Sequence, residues 1–304
     1  MEGAIRMPAE KRTYAYKTVK NHEIRADVYP AGEGTARPVI VWIHGGCLIM
    51  GHRGMIPDWQ RERYADAGCT VVSIDYRLAP ETKLPAIIDD LQDAFQWVRE
   101  EGPGRFQADP KRVAAVGHSA GGYLALMAGV VVQPRPVALV SFYGYGDIVG
   151  GWHSRPDPFY CRQPAVPREK ARRAVGREVI SETAGPHKRD EFYVYLRQQG
   201  LWPLEVSGHD PETEPAFFHL YCPVRNVDSE YPSTLLLHGD RDTVVAHEQS
   251  AMMAAALASA KVDHELVTIA GGEHGFDAEQ NEVAEHAFEK ALGWLRKHLG
   301  QGGA

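Results

Sequence analysis

The residues with the clearest chemical potential are Gly117-His118-Ser119-Ala120-Gly121, a G-x-S-x-G pattern. It follows the β-rich run Val113-Ala114-Ala115-Val116 and precedes a helical run over 123–132. Strand, turn, helix is the setting a nucleophile elbow requires. The flanking glycines fit a strained turn in which side chains two residues from the serine would clash. Such a turn lifts the Ser119 hydroxyl above the sheet edge. It also leaves the Ala120 amide at a helix N-terminus, aimed at an oxyanion. A serine hydroxyl is a poor nucleophile without a base. His274 has the right placement, in the glycine-rich run Gly271-Gly272-Glu273-His274-Gly275-Phe276 after the last β-rich run. Ligands bind at the C-terminal ends of strands in open α/β sheets. His118 rides on the elbow itself and reads as a supporting residue. The imidazole needs a carboxylate to hold its tautomer. Two aspartates compete in His238-Gly239-Asp240-Arg241-Asp242. Asp240 lies nearer the strand end, where Asp commonly bonds turn amides. Asp242 reaches further across the rim and is favoured.

A second loop belongs with these. Trp42-Ile43-His44-Gly45-Gly46-Cys47 leaves the apolar run 39–43 as a stretch of small residues. Backbone amides in such a loop can approach a ligand closely. The amides of Gly45, Gly46 and Cys47, with that of Ala120, are candidates for an oxyanion hole. Together the groups describe acyl transfer by a serine nucleophile, with the chain order Ser119, Asp242, His274.

The elements that must position them alternate. β-rich runs are expected at 14–20, 23–29, 39–43, 70–74, 113–116, 138–142, 234–237 and 265–269. A helix over 86–101 places Ile87, Ile88, Leu91, Phe95 and Val98 on one stripe and is stopped by Gly102-Pro103. A last helix over 279–299 carries Ala284, Phe288, Leu292, Leu295 and Leu299. The expected fold class is α/β, a mostly parallel central sheet flanked by helices. Residues 146–231 break the rhythm, and the stretch from Tyr145 to Tyr231 holds 12 of the 28 aromatic residues and 9 of the 20 prolines. A structureless loop of that length is implausible. The expectation is one domain over 1–304 with a lid subdomain inserted over 146–231. Trp152, Trp202 and Phe217 are candidates for cleft walls, and most other aromatics there for the lid's own core.

Composition excludes several classes. The 304 residues are 44% apolar and 24% charged, close to the globular average, which rules out a disordered chain, a fibre or a coiled coil. No apolar run approaches the ~18–20 residues of a membrane span. The net charge of −7 comes without a basic stripe, so neither nucleic acid nor membrane is an expected partner. Residues 1–8 lack the apolar core of a signal peptide. Four cysteines without a C-x-x-C pair, and no H-E-x-x-H helix, argue against a disulfide framework or a zinc site. All four thiols read as small buried hydrophobes. A cytoplasmic protein with no metal and no cofactor is expected. A homodimer could form through an edge strand or the last helix, and the tail 300–304 is expected to fray.

These elements together resemble the α/β-hydrolase superfamily, within it the hormone-sensitive-lipase-like esterases and their carboxylesterase relatives. The resemblance covers most of the chain outside 146–231. The family's H-G-G-G oxyanion motif is similar to His44-Gly45-Gly46, and its D-Y-R-L-A-P-E motif matches Asp75-Tyr76-Arg77-Leu78-Ala79-Pro80-Glu81. The resemblance implies a structural role for Asp75 and Arg77 in supporting the oxyanion loop. It implies an α/β-hydrolase fold and a serine esterase using Ser119, Asp242 and His274. Two departures stand out. Cys47 replaces the third glycine, and only about 13 residues precede the first expected strand, so the cap must come from the insertion. The insertion is rich in charge, with 11 Lys/Arg and 13 Asp/Glu, and shows no apolar stripe suited to an oil interface. The expected substrate is a small, short-acyl ester. An amidase, formamidase or peptidase would use the same three residues. A non-catalytic binding protein would be expected to have lost Ser119 or His274.

Overall fold

The computed structural model describes residues 11–32, 36–183 and 189–300. Eight strands form one sheet: β1 (Arg12–Val19), β2 (His22–Tyr29), β3 (Arg37–Ile43), β4 (Thr70–Ile74), β5 (Ala108–His118), β6 (Ala138–Phe142), β7 (Ser233–Gly239) and β8 (His264–Ile269). Their spatial order is β1-β2-β4-β3-β5-β6-β7-β8. β1 and β2 pair antiparallel, as do β2 and β4; every pair from β4 through β3 to β8 is parallel. All eight expected runs are strands. β5 begins five residues before the expected 113, because its polar start, Ala108-Asp109-Pro110-Lys111-Arg112, shows no apolar alternation to mark it.

The central strands are buried on both faces, which is why they read as continuous apolar runs. Successive residues still divide between two cores. Val39, Val41 and Ile43 of β3, with Val113 and Ala115 of β5, face one; Ile40, Trp42, Ala114 and Val116 face the other. The helices Leu84–Glu100, Ala120–Val131 and Glu248–Ser259 pack into the first core. Asp58–Asp66 and Glu282–Leu299 close the second. The last helix starts at Glu282 rather than 279 because Asn281 caps it, its side chain accepting from the Ala284 amide at 2.9 Å.

Residues 146–231 contain no strand among those described. They form short helices at Gly151–Ser154, Arg168–Arg172, Asp190–Gln199 and Trp202–Ser207, with 3-10 turns at Tyr160–Arg162, Phe217–His219 and Pro223–Arg225. Their buried side chains, Phe192, Leu196, Trp202, Val206 and Phe218, belong to the same apolar cluster as Val41, Ile43 and Ala115. The insertion therefore packs into the core of the sheet. Cys47, Cys69 and Cys222 are buried; Cys161, expected to be buried too, is exposed, because it sits on a 3-10 turn at the insertion's surface. The expectations for the leader at 1–8 and for the tail beyond Gly300 lie outside the described residues. Among the described residues no helix is long and apolar enough to cross a membrane.

Candidate active site

β5 ends at His118 and a helix begins at Ala120, so Ser119 occupies the turn between them. Its backbone has φ 56° and ψ −118°, a strained conformation for a side-chain-bearing residue. The turn is sharp enough that a Cβ on Gly117 would lie 2.0 Å from the Gly121 carbonyl oxygen. A Cβ on Gly121 would lie 2.0 Å from the Ile43 carbonyl oxygen. Both glycines are required by close approach of backbone to backbone. The Ser119 amide donates to the Phe142 carbonyl at 2.9 Å, tying the elbow to the end of β6.

The candidate base arrives from the loop after β8. His274 Nε2 lies 3.0 Å from Ser119 Oγ, and His274 Nδ1 lies 2.7 Å from Asp242 Oδ2. Asp242 follows β7 and its side chain is fully buried. Its Oδ1 accepts from the amides of Val244 (2.8 Å) and Val245 (2.9 Å). Burial alone would raise the pKa of this carboxyl. Hydrogen bonds from His238 and His274 overcome it and hold the group well below the ordinary carboxylate range. Asp242 is therefore ionised, so it accepts the Nδ1–H of His274 and leaves Nε2 free to accept from the serine hydroxyl. Asp240 takes the other role weighed for it: its Oδ1 accepts from the Gly271 amide at 2.7 Å.

The oxyanion candidates lie beside the serine. A Cβ on Gly45 would come within 3.2 Å of Ser119 Cβ. In a planar trans peptide the N–H points away from the preceding C=O, so each amide is aimed by what that carbonyl accepts. The Gly45 carbonyl accepts from His44 Nδ1 at 2.7 Å, which orients the Gly46 amide. The Gly46 carbonyl accepts from the amides of Ile49 and Met50, both at 3.0 Å, which orients that of Cys47. Burial depresses the His44 pKa to about 3, so the ring is neutral and its Nδ1–H is the donor. The ring stacks on Tyr76 at 4.3 Å, and Tyr76 donates its hydroxyl to the His44 carbonyl at 3.0 Å. Burial pushes the Cys47 thiol up to about 11, so it is no rival nucleophile.

A family model described as an alpha/beta hydrolase fold matches residues 40–278. The chain belongs to the alpha/beta-hydrolase family. It is 27% identical over 350 residues to the non-reducing polyketide synthase ausA of Aspergillus calidoustus, covering 96% of this chain and 14% of that protein. The chain thus spans about a seventh of the length of that curated relative. Among solved structures, a protein of unknown function from Staphylococcus aureus subsp. aureus Mu50 is similar with a TM-score of 0.79 at 19% identity, covering 95% of this chain and 100% of that one. The thermophilic carboxylesterase EstE1 from a metagenomic library is similar with a TM-score of 0.73 at 23% identity, covering 97% and 90%. These likenesses are of fold.

Several residues of the hydrolase that touch the site carry no motif signal of their own. Asp277 is buried and gathers three donors: Gln60 Nε2 (2.8 Å), His118 Nε2 (2.8 Å) and the Tyr143 hydroxyl (2.6 Å). The Tyr143 ring in turn packs on His274 at 4.7 Å. His118 thus links the elbow to the loop that carries His274. Burial would raise the Asp277 pKa, but the charge and hydrogen bonds of these partners hold it below the ordinary value. His238 approaches Asp242 Oδ2 at 3.3 Å while its Nδ1 meets Ser250. In the 75–81 motif, Tyr76 and Ala79 touch the 44–51 loop directly, the latter through its amide to the Leu48 carbonyl at 2.8 Å. Asp75 instead binds the Arg53 amide and guanidinium, and Arg77 binds Asp90 on the neighbouring helix.

Two of the cleft-wall candidates lie together, Trp152 and Trp202 both stacking on the His153 ring, at 3.6 and 4.2 Å. Trp152 is half-buried and donates to the Asp147 carbonyl. Trp202 is fully buried and donates its indole N–H to the Cys47 carbonyl at 2.9 Å. Phe217 stacks on His209 at 3.8 Å, within the insertion. Among the described residues no group of three metal-ligating side chains converges.

Proposed function

We propose that this hydrolase cleaves small, short-acyl carboxylic esters through an acyl-enzyme intermediate. The observation that carries the reading is the unbroken path from Ser119 Oγ to His274 (3.0 Å) to a buried, ionised Asp242 (2.7 Å) at a strained elbow. His274 Nε2 takes the Ser119 proton as Oγ attacks the ester carbonyl. The developing alkoxide is held by backbone amides of the Gly45, Gly46 and Cys47 loop and of Ala120. The tetrahedral adduct collapses, and the protonated His274 gives its proton to the departing alcohol. Water, deprotonated by His274, then attacks the acyl-serine and frees the acid. Asp242 keeps the imidazole in the productive tautomer throughout. No step needs a metal or a cofactor.

Short acyl chains are favoured because the insertion is dense in charge and packs into the core through its own aromatics. The test is hydrolysis of 4-nitrophenyl esters from acetate to dodecanoate by the wild type and by Ser119→Ala, with the matching anilides alongside. The expected result is turnover of the short esters and a loss of several orders of magnitude in the variant. Turnover of anilides in preference to esters would replace the esterase reading by an amidase one. Equal rates in wild type and variant would overturn both.

A further inference from the structure

The oxyanion loop is held in a conformation its own residues disfavour. Cys47 has φ 55° and Leu48 φ 60°, two consecutive side-chain-bearing residues in the left-handed region. Strain of this kind persists only where the surroundings over-determine it. The loop's carbonyls record what does so. That of Gly46 is satisfied within the loop, by the amides of Ile49 and Met50, and that of Leu48 from the 75–81 segment, by the Ala79 amide. Those of Cys47, Ile49 and Gly51 are satisfied from the insertion. Trp202 Nε1 donates to Cys47 (2.9 Å), Arg189 Nη1 to Ile49 (2.9 Å), and the Thr183 amide to Gly51 (3.1 Å). Thr183 Oγ1 also accepts from the Gly51 amide at 2.8 Å. Trp202 and Arg189 are buried, and Arg189 is anchored by the Ala79 carbonyl and by Glu81.

We propose that the insertion is a clamp that keeps the oxyanion loop in its strained, amide-presenting form, with Trp202 as the principal positioning residue. The inference rests on the esterase reading above. Trp202 touches no reacting atom. It fixes the Cys47–Leu48 peptide, and through it the turn from which the Gly46 and Cys47 amides are presented. Cys47 stands where a glycine would adopt a positive φ without strain, so the replacement of glycine makes the clamp necessary.

The experiment compares Trp202→Phe with the wild type on 4-nitrophenyl acetate. Ser119→Ala run alongside tests the esterase reading separately, since its failure to lower turnover would overturn that reading and not the clamp alone. Rates are expressed per active site, counted by titration with a 4-nitrophenyl phosphonate. Affinity for a trifluoromethyl ketone, which mimics the oxyanion adduct, is measured in parallel. Trp202→Phe is expected to lower per-site kcat about 10- to 100-fold, short of the ~10²–10³ that loss of a whole oxyanion donor costs. Affinity for the ketone should fall by a similar factor while KM stays within about twofold. In a Cys47→Gly background the same Trp202→Phe change should cost clearly less than in the wild type, because glycine relieves one of the two strained positions and leaves Leu48. Thr183→Val, which removes the acceptor for the Gly51 amide at the far end of the loop, provides the test should Trp202→Phe fold poorly. It should give the same split in smaller measure. A variant that melts earlier yet keeps per-site kcat and ketone affinity would overturn the proposal. So would a penalty for Trp202→Phe that is equal in the wild-type and Cys47→Gly backgrounds.

Discussion

Asp242 divides its work between its two oxygens. Oδ1 takes the Val244 and Val245 amides, and Oδ2 faces His274 Nδ1. An asparagine would keep its oxygen on the two amides and turn its NH₂ toward Nδ1–H, forcing the other tautomer and removing the acceptor that Ser119 needs. Asp242→Asn should therefore fold normally and lose on the order of 10⁴ in kcat, read in single-turnover assays with a 4-nitrophenyl ester. Asp277 makes a different kind of prediction. Its carboxyl is held below its ordinary pKa, so the folded state binds a proton less readily than the unfolded chain. The stability it contributes is full above the ordinary carboxylate pKa and is lost as pH falls below it. Asp277→Asn should cost about 1–3 kcal/mol at pH 7, because buried donors lose a charged acceptor. The gap between variant and wild type should narrow below about pH 4. Urea unfolding at pH 7 and pH 3 checks both the size and the sign.

At the scale of elements, the elbow is a junction where a strand, a helix and a second strand's exit loop share one small space. Gly121 is the first-turn residue of the helix that faces Ile43, and a methyl there meets the Ile43 carbonyl oxygen at 2.0 Å. The contact is backbone to backbone, so no rotamer change can relieve it. Gly121→Ala should destabilise by about 3 kcal/mol or more, at or above the upper end for overpacking, measured by urea unfolding. It should also lower activity, because relief requires the helix to move and Ser119 sits at its N-terminus. Asp75 and Arg77 show the same logic in reverse. A motif's charged residues can be bound to their own neighbours, Arg53 and Asp90, while the aromatic between them, Tyr76, does the contacting.

For the whole molecule, the decisive feature is that residues 146–231 share one apolar cluster with the sheet. Phe192, Leu196, Trp202 and Phe218 are fully buried in it, beside Val41, Ile43 and Ala115. A segment that lacks its own core has no independent stability, so insertion and sheet should unfold together. Tryptophan fluorescence and far-UV circular dichroism should report one coincident transition in urea. Phe192→Ala should lower its midpoint by an amount equivalent to about 3–5 kcal/mol. Separate transitions for the two probes would show an insertion that melts alone.

The local chemistry was legible because it is written in contiguous residues. Gly117 and Gly121 approach each other across the turn that carries Ser119, so the elbow shows as a five-residue pattern, and the β-rich runs announce themselves because central strands are buried on both faces. The choice of Asp242 over Asp240 followed from reach along a single loop. What the sequence could not decide are contacts between segments far apart in the chain that involve ordinary residues. Asp277 with His118, Gln60 and Tyr143 is one case; Trp202 with the Cys47 carbonyl is another. Neither has a spacing to detect, because the partners meet only after the sheet is assembled. An aromatic in an insertion has the same letter whether it lines a cleft or donates to a buried carbonyl. Only the packing of that insertion onto the sheet set which of these Trp202 became.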